Sequence, residues 1–184
     1  MPEFTPPYLE AERNWSEGLS TRVPERGGSL DISIAGHECR LTGRADRVDL
    51  YADGTAAILD FKTGNPPSLA QVKTFAPQLA LSVAMLHAGA FQDVDPHPAR
   101  AASYVQTGGN RDPFKITALD DPNELIELAN EALAQLQALW ATFLMGAPFT
   151  PLLRPERARD QGPYHQLARV KEWRAADEAS GEST

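Results

Sequence analysis

Apolar and polar residues alternate most cleanly over Leu30-Asp31-Ile32-Ser33-Ile34, a period of two that predicts a half-buried strand. A turn at Ala35-Gly36-His37 follows, then a long extended run from about Cys39 to Leu50. The Asp53-Gly54 turn leads into a third strand over 56–62, and three consecutive antiparallel strands are the economical arrangement. Gly27-Gly28, just ahead of the first alternating run, is expected to break the chain.

Helical spacing takes over on either side. Residues 7–19 predict a short helix with Pro7 in its first turn and Tyr8, Leu9, Trp15 and Leu19 on a rough apolar side. After the stop signal Thr63-Gly64-Asn65-Pro66-Pro67, Ser68 is the expected N-cap of a short helix reaching about Thr74. Pro77 either kinks this helix or begins a second one that runs to about His87. There Leu79, Val83 and Leu86 repeat at helical spacing, and Gln78 and Ser82 lie four apart on a polar stripe. Arg100–Gln106 and Phe114–Ile116 read as further strands around a Gly108-Gly109-Asn110 turn. Residues 121–145 form the clearest helix, with Leu125, Leu128, Ala129, Ala132, Leu136, Leu139, Trp140 and Phe143 on its apolar side. A last short helix is expected near His165–Trp173, with a frayed tail from Ala175.

Composition narrows the function classes. The 184 residues suit one domain with a sizeable core. No apolar run approaches the ~20 residues that span a bilayer, and the start lacks the regions of a signal peptide. No membrane role is therefore expected, and a bacterial cytoplasmic location is. The single cysteine, Cys39, excludes an internal disulfide and any cysteine-only metal site within this chain. The net charge of −8 argues against gripping nucleic acid through the overall field, but a carboxylate-built metal site is compatible with it. Arg154, Arg157, Arg159, Arg169, Lys171 and Arg174 are either a local basic surface or a solvated charged face.

Against that background three charged residues stand out. Asp60 and Lys62 are two apart on one strand and emerge on one face, while Leu59 and Phe61 point the other way. The hairpin through Asp53-Gly54 brings Asp46 beside them. Two carboxylates and an ammonium can hold a hard divalent cation and activate a water against a phosphodiester, with Lys62 orienting or deprotonating that water. Two roles are open for Arg44: phosphate contact, or a salt bridge to Asp60. Asp49 falls on the face opposite Asp46 and reads as structural. Tyr104 lines the site, stacks on a base, or packs in the core with a wet hydroxyl. His37, His87, His97 and His165 form no ligand spacing and read as non-catalytic.

Gly43-x-x-Asp46, then Asp60-Phe61-Lys62-Thr63-Gly64, then Gln78 on the following helix, resembles the RecB-like branch of the PD-(D/E)xK nuclease superfamily. The wording Leu-Asp-Phe-Lys-Thr-Gly-x-Pro-Pro-Ser, Ala-Pro-Gln-Leu and the ending Tyr164–Trp173 are similar to the C-terminal nuclease domain of the AddB family of bacterial helicase–nuclease subunits. The resemblance implies an α/β, restriction-endonuclease-like core with a mixed central sheet flanked by helices. It spans roughly residues 8–175 of a single nuclease domain over 1–184, the C-terminal fragment of a larger helicase–nuclease subunit. It also implies Mg²⁺ or Mn²⁺ held by Asp46, Asp60 and the Phe61 carbonyl, and DNA as substrate in double-strand break repair. Asp46, Asp60, Lys62 and Gln78 are the implied catalytic residues; an AddA-type subunit is the implied partner. Gln78 would hydrogen-bond phosphate or a metal water, or else cap its helix.

Three departures accompany the resemblance. Relatives carry a His or acidic ligand on a helix ahead of the first strand, whereas Glu10, Glu12 and Glu17 here sit in no such motif; the AddB likeness places that residue upstream of Met1. Ser82 stands where many relatives have Tyr or an acid. Cys39 alone cannot hold the iron–sulfur cluster of some AddB nucleases, so none is expected. A non-catalytic module binding DNA or a helicase subunit, and a stand-alone RecB-like nuclease, are the competing readings.

Overall fold

The structure, a computed structural model, describes residues 5–74, 77–108 and 114–147. The chain divides into two compact units, Met1–Ala141 and Thr142–Thr184. Of the second only the end of one helix and residues 145–147 are described; the expected helix near His165–Trp173 and the basic residues from Arg154 onward lie outside the described residues. The elements run α1 (Thr5–Ser16), β1 (Leu19–Ile34), β2 (His37–Tyr51), β3 (Ala56–Lys62), α2 (Leu69–Thr74), α3 (Gln78–His87), β4 (Ala99–Gln106), β5 (Lys115–Leu119) and α4 (Pro122–Leu144).

The described strands form one sheet in the order β1-β2-β3-β4-β5. The pairs are antiparallel except β3–β4, which is parallel and is bridged by α2 and α3, the crossover that a parallel pair needs. The result is the expected α/β architecture: a mixed sheet flanked by helices. The larger core cluster joins Val48, Ile58 and Tyr104 of the sheet to Leu79, Val83 and Leu86 of α3 and Leu125 and Ala129 of α4. A smaller one gathers Tyr51, Ala57, Leu59 and Val105, with Trp15 of α1 packed against them.

The predicted turns form. Gly54 N–H donates to the Tyr51 carbonyl at 3.0 Å with Gly54 at φ 81°, and Thr55 N–H donates to Asp53 Oδ1 at 2.9 Å. Ser68 opens α2 reciprocally: its N–H donates to Gln71 Oε1 at 2.9 Å while its Oγ accepts from Gln71 N–H at 3.4 Å. Asp121 is the cap of α4, not its first residue; its Oδ1 accepts from Asn123 and Glu124 N–H at 2.9 and 3.3 Å.

Three expectations are corrected. Gly27-Gly28 does not break the chain; it lies inside β1, which begins eight residues earlier at Leu19. A Cβ on Gly28 would stand 2.4 Å from the Ala90 carbonyl oxygen, and Ser29 N–H donates to that same oxygen at 3.0 Å. The glycine is there because the loop after α3 crosses the strand at backbone distance. Helix α1 stops at Ser16, because Gly18 takes φ 71° and Leu19 already pairs with Tyr51; Leu9, expected inside, is 48% exposed. Along α4 only the first half of the predicted apolar side is covered: Leu125, Ala129 and Ala132 are buried, whereas Leu139 and Trp140 are exposed.

Candidate active site

The site is built where β2 and β3 part. Their pairing runs from Leu50↔Ala56 to Arg47↔Leu59 and ends there. Beyond that point the Phe61 N–H donates to Asp46 Oδ2 at 2.8 Å, a carboxylate standing where a ladder would place a carbonyl. Side-chain alternation on β2 slips at this residue. Leu41 and Ala45 belong to the same core cluster as Val48 and Leu50, so an odd-numbered series becomes an even-numbered one across Asp46. On β1, Pro24 pairs with Arg47 and Arg26 with Ala45, and Glu25 between them has φ 40°. Local irregularity in both strands thus turns Asp46 out of the regular alternation and toward β3.

Asp60 occupies the centre. It is 7% exposed; its Oδ1 accepts from Gln78 Nε2 at 2.8 Å, and Lys62 Nζ lies 2.6 Å from its Oδ2. Lys62 Nζ also donates to Gln78 Oε1 at 3.3 Å, closing a triangle of Asp60, Lys62 and Gln78. Lys62 is thus the partner of the buried Asp60 Oδ2, at the distance of a charge-assisted contact. Burial raises the Asp60 pKa above the ordinary carboxylate value and the Asp46 charge adds to this, against the opposing pull of Lys62 and Gln78. Gln78 stands at the first position of α3 immediately after Pro77, where its side chain reaches Asp60 instead of capping the helix. Gly43 lets the helix come close: a Cβ there would be 3.0 Å from Met85 Sδ.

Other expected residues fall into place around this triangle. Arg44 is exposed, and the ion pair on Asp60 is made by Lys62, so the anticipated Arg44–Asp60 salt bridge does not form. Tyr104, the register partner of Asp60, is 1% exposed and packs in the larger core cluster. Burial pushes its pKa up to about 12, with the Asp60 charge contributing. His87 Nε2 accepts from Ala99 N–H at 3.1 Å and His97 Nδ1 donates to the Gly54 carbonyl at 2.9 Å, both structural bonds. Among the described residues no group of three or more His, Cys, Asp or Glu could hold a metal ion, and no helix is long and apolar enough to cross a membrane.

Of the acids on α1, Glu12 is committed elsewhere. It pairs with Arg47, accepts from Tyr8 Oη at 2.6 Å, and lies 3.1 Å from Arg22. Arg47 and Arg22 also hold Asp49, which is fully buried, and Arg47 stacks 5.2 Å from the Trp15 ring centroid. The network docks α1 on the sheet beside the smaller core cluster. Arg47-x-Asp49 signals it in sequence, as opposite charges two apart on one strand face; the partners Arg22 and Glu12 carry no such local mark.

Asp46 and Asp60 offer only oxygen donors, which fits a hard divalent cation such as Mg²⁺ or Mn²⁺ and not a thiolate-bound cluster. Residues 3–159 match the sequence profile of the PD-(D/E)XK nuclease superfamily.

The chain belongs to the PD-(D/E)XK nuclease superfamily.

The nucleases of this superfamily generally use Mg²⁺ or Mn²⁺. A 63-residue stretch is 35% identical to an uncharacterized protein of Rickettsia felis, covering 34% of this chain and 7% of that protein. Another of 63 residues is 33% identical to an uncharacterized protein of Rickettsia conorii, 34% of this chain and 8% of that one. The chain thus spans under a tenth of the length of either relative. Among solved structures it is similar to the crystal structure of SSO0001, at 15% identity and a TM-score of 0.36 over 77% of this chain and 66% of that one. A likeness that distant carries no functional argument.

Proposed function

We propose that this PD-(D/E)XK chain is a Mg²⁺- or Mn²⁺-dependent exodeoxyribonuclease domain that trims DNA during double-strand break repair by homologous recombination. In this reading it is the C-terminal nuclease domain of a larger subunit and works beside an AddA-type helicase–nuclease subunit. The supporting observation is the Asp60–Lys62–Gln78 triangle at the point where Asp46 meets Phe61. The repair role and the partner rest on the likeness of the sequence around these residues to AddB.

Asp46, Asp60 and the Phe61 carbonyl would hold the cation. Bound there, it supplies a more acidic water and stabilises charge on the phosphate under attack. Lys62 orients the attacking water and balances negative charge as it develops. Gln78 fixes the Asp60 carboxylate through Oδ1 and keeps Lys62 within reach. Arg44, which is exposed, would take a phosphate of the bound strand.

The test is degradation of end-labelled single- and double-stranded DNA with Mg²⁺ or Mn²⁺, with Asp60→Ala and Lys62→Ala controls. Mononucleotides released from ends, with both variants at least ~100-fold slower, are expected. Equal activity in all three proteins overturns the catalytic assignment. DNA binding without cutting identifies an inactive nuclease-fold module, and full activity that an AddA-type subunit leaves unchanged identifies a stand-alone nuclease.

A further inference from the structure

Lys62 has a third neighbour besides Asp60 and Gln78. Its Nζ lies 5.5 Å from the centroid of the Tyr104 ring. Tyr104 sits opposite Asp60 across the parallel β3–β4 pair, and the next residue on the same face, Gln106, sits opposite Lys62. The ring is fixed by packing in the core cluster with Ile58 and Leu79, and it lies beneath a lysine whose side chain is 33% exposed. An aromatic face carries partial negative charge and attracts an ammonium without taking its proton.

This contact differs in kind from the other two. The Asp60 oxygen that Lys62 touches is one that a bound cation would also claim. A carboxylate that serves as a cation ligand is a poor permanent anchor for a lysine, and a four-carbon stem left alone samples many rotamers. The ring is an anchor that metal binding does not consume.

We propose that Tyr104 is a positioning residue for Lys62, its buried ring face holding the ammonium at the site and leaving the Asp60 carboxylate free for a cation. The contact itself stands on the geometry; its catalytic consequence rests on the nuclease reading above. The phenol hydroxyl bonds the Leu79 backbone and takes no part in the cation contact, so Tyr104→Phe keeps the ring face against Lys62.

The experiment replaces Tyr104 in the full chain by Phe and then by ring-fluorinated phenylalanines bearing one, two and three fluorines. These withdraw charge from the ring face at nearly constant shape. Across the phenylalanine series, cleavage of labelled DNA is expected to keep its KM while kcat falls stepwise, by about fivefold in total at the trifluorinated ring, with Tm equal to that of Tyr104→Phe. A flat kcat across the series overturns the proposal even where Tyr104→Leu is inactive, because packing alone then explains the leucine variant. A second readout needs no activity. The Lys62 ε-methylene proton resonances are expected upfield of ordinary lysine in the wild type and in Tyr104→Phe, and at the ordinary position in Tyr104→Leu. Unshifted resonances in the wild type overturn the contact. A wild type that cuts no DNA with either metal counts against the nuclease reading alone, since the resonance shift still decides the Tyr104–Lys62 contact.

Discussion

The Phe61 amide gives its hydrogen to the Asp46 carboxylate at 2.8 Å, so one residue of the site holds the backbone that presents the next two. Asp60 and Lys62 flank Phe61 and point to the face where Gln78 meets them. A side chain that both closes the sheet opening and offers a free carboxylate oxygen links folding to chemistry at a single position. Asp46→Asn keeps an acceptor for Phe61 and is expected to stay within ~0.5 kcal/mol of wild-type stability, while Asp46→Ala loses ~1–2 kcal/mol. Both should slow DNA cleavage at least ~100-fold; urea unfolding with a cleavage assay on the same samples separates the two effects.

Asp60 is expected to work against stability. Burial and the Asp46 charge raise its pKa, so the folded state holds that proton more tightly than the unfolded chain does. Its contribution is therefore favourable below the unfolded carboxylate pKa of about 4 and is lost as pH rises through the raised folded value. Asp60→Asn should have a Tm at or above wild type at pH 7 and show a smaller drop between pH 4 and 7, while cutting no DNA. A lower Tm at neutral pH would mean that the Lys62 pair outweighs burial.

The ion network under α1 should matter for stability and not for the metal. Arg47 is almost fully enclosed with Asp49 and Glu12, and truncating one member leaves uncompensated buried charge. Arg47→Ala is expected to cost ~3 kcal/mol or more, and Glu12→Gln less, because Glu12 is partly solvated. The divalent-cation concentration giving half-maximal cleavage should be the same in Glu12→Gln as in wild type. A shifted cation requirement would make Glu12 a candidate ligand.

His87 supplies a pH dependence away from the site. Burial lowers its pKa, and its Nε2 accepts a hydrogen from Ala99, a bond only the neutral ring can make. The unfolded chain then binds the proton more readily, so stability is complete above the ordinary histidine value and declines as pH falls through it. Thermal melts between about pH 7.5 and 5.5 should show a steeper loss in wild type than in His87→Gln.

The site was legible in sequence to an uneven degree. Asp60 and Lys62 could be paired by counting, because a strand sets residues two apart on one face, and the Asp53-Gly54 turn made Asp46 their neighbour. Counting failed at Asp46 itself, where the alternation slips, and so it could not say that this carboxylate would bond the Phe61 backbone. Gly27-Gly28 misled for a related reason. The same dipeptide serves a chain break or a close backbone crossing, and only the position of Ala90, more than sixty residues away, distinguishes them.

Local periodicity by itself determined the antiparallel meander, the helices after it and the charged triad, because these depend on how each residue's neighbours repeat. Tertiary structure alone decided that Glu12 spends its charge on Arg47, that Tyr104 lies beneath Lys62, and that Gln78 bonds Asp60 instead of capping its helix. Those pairings join residues 18 to 42 positions apart, and distances across such separations are set by how strands pair and helices pack, which no short window of sequence contains.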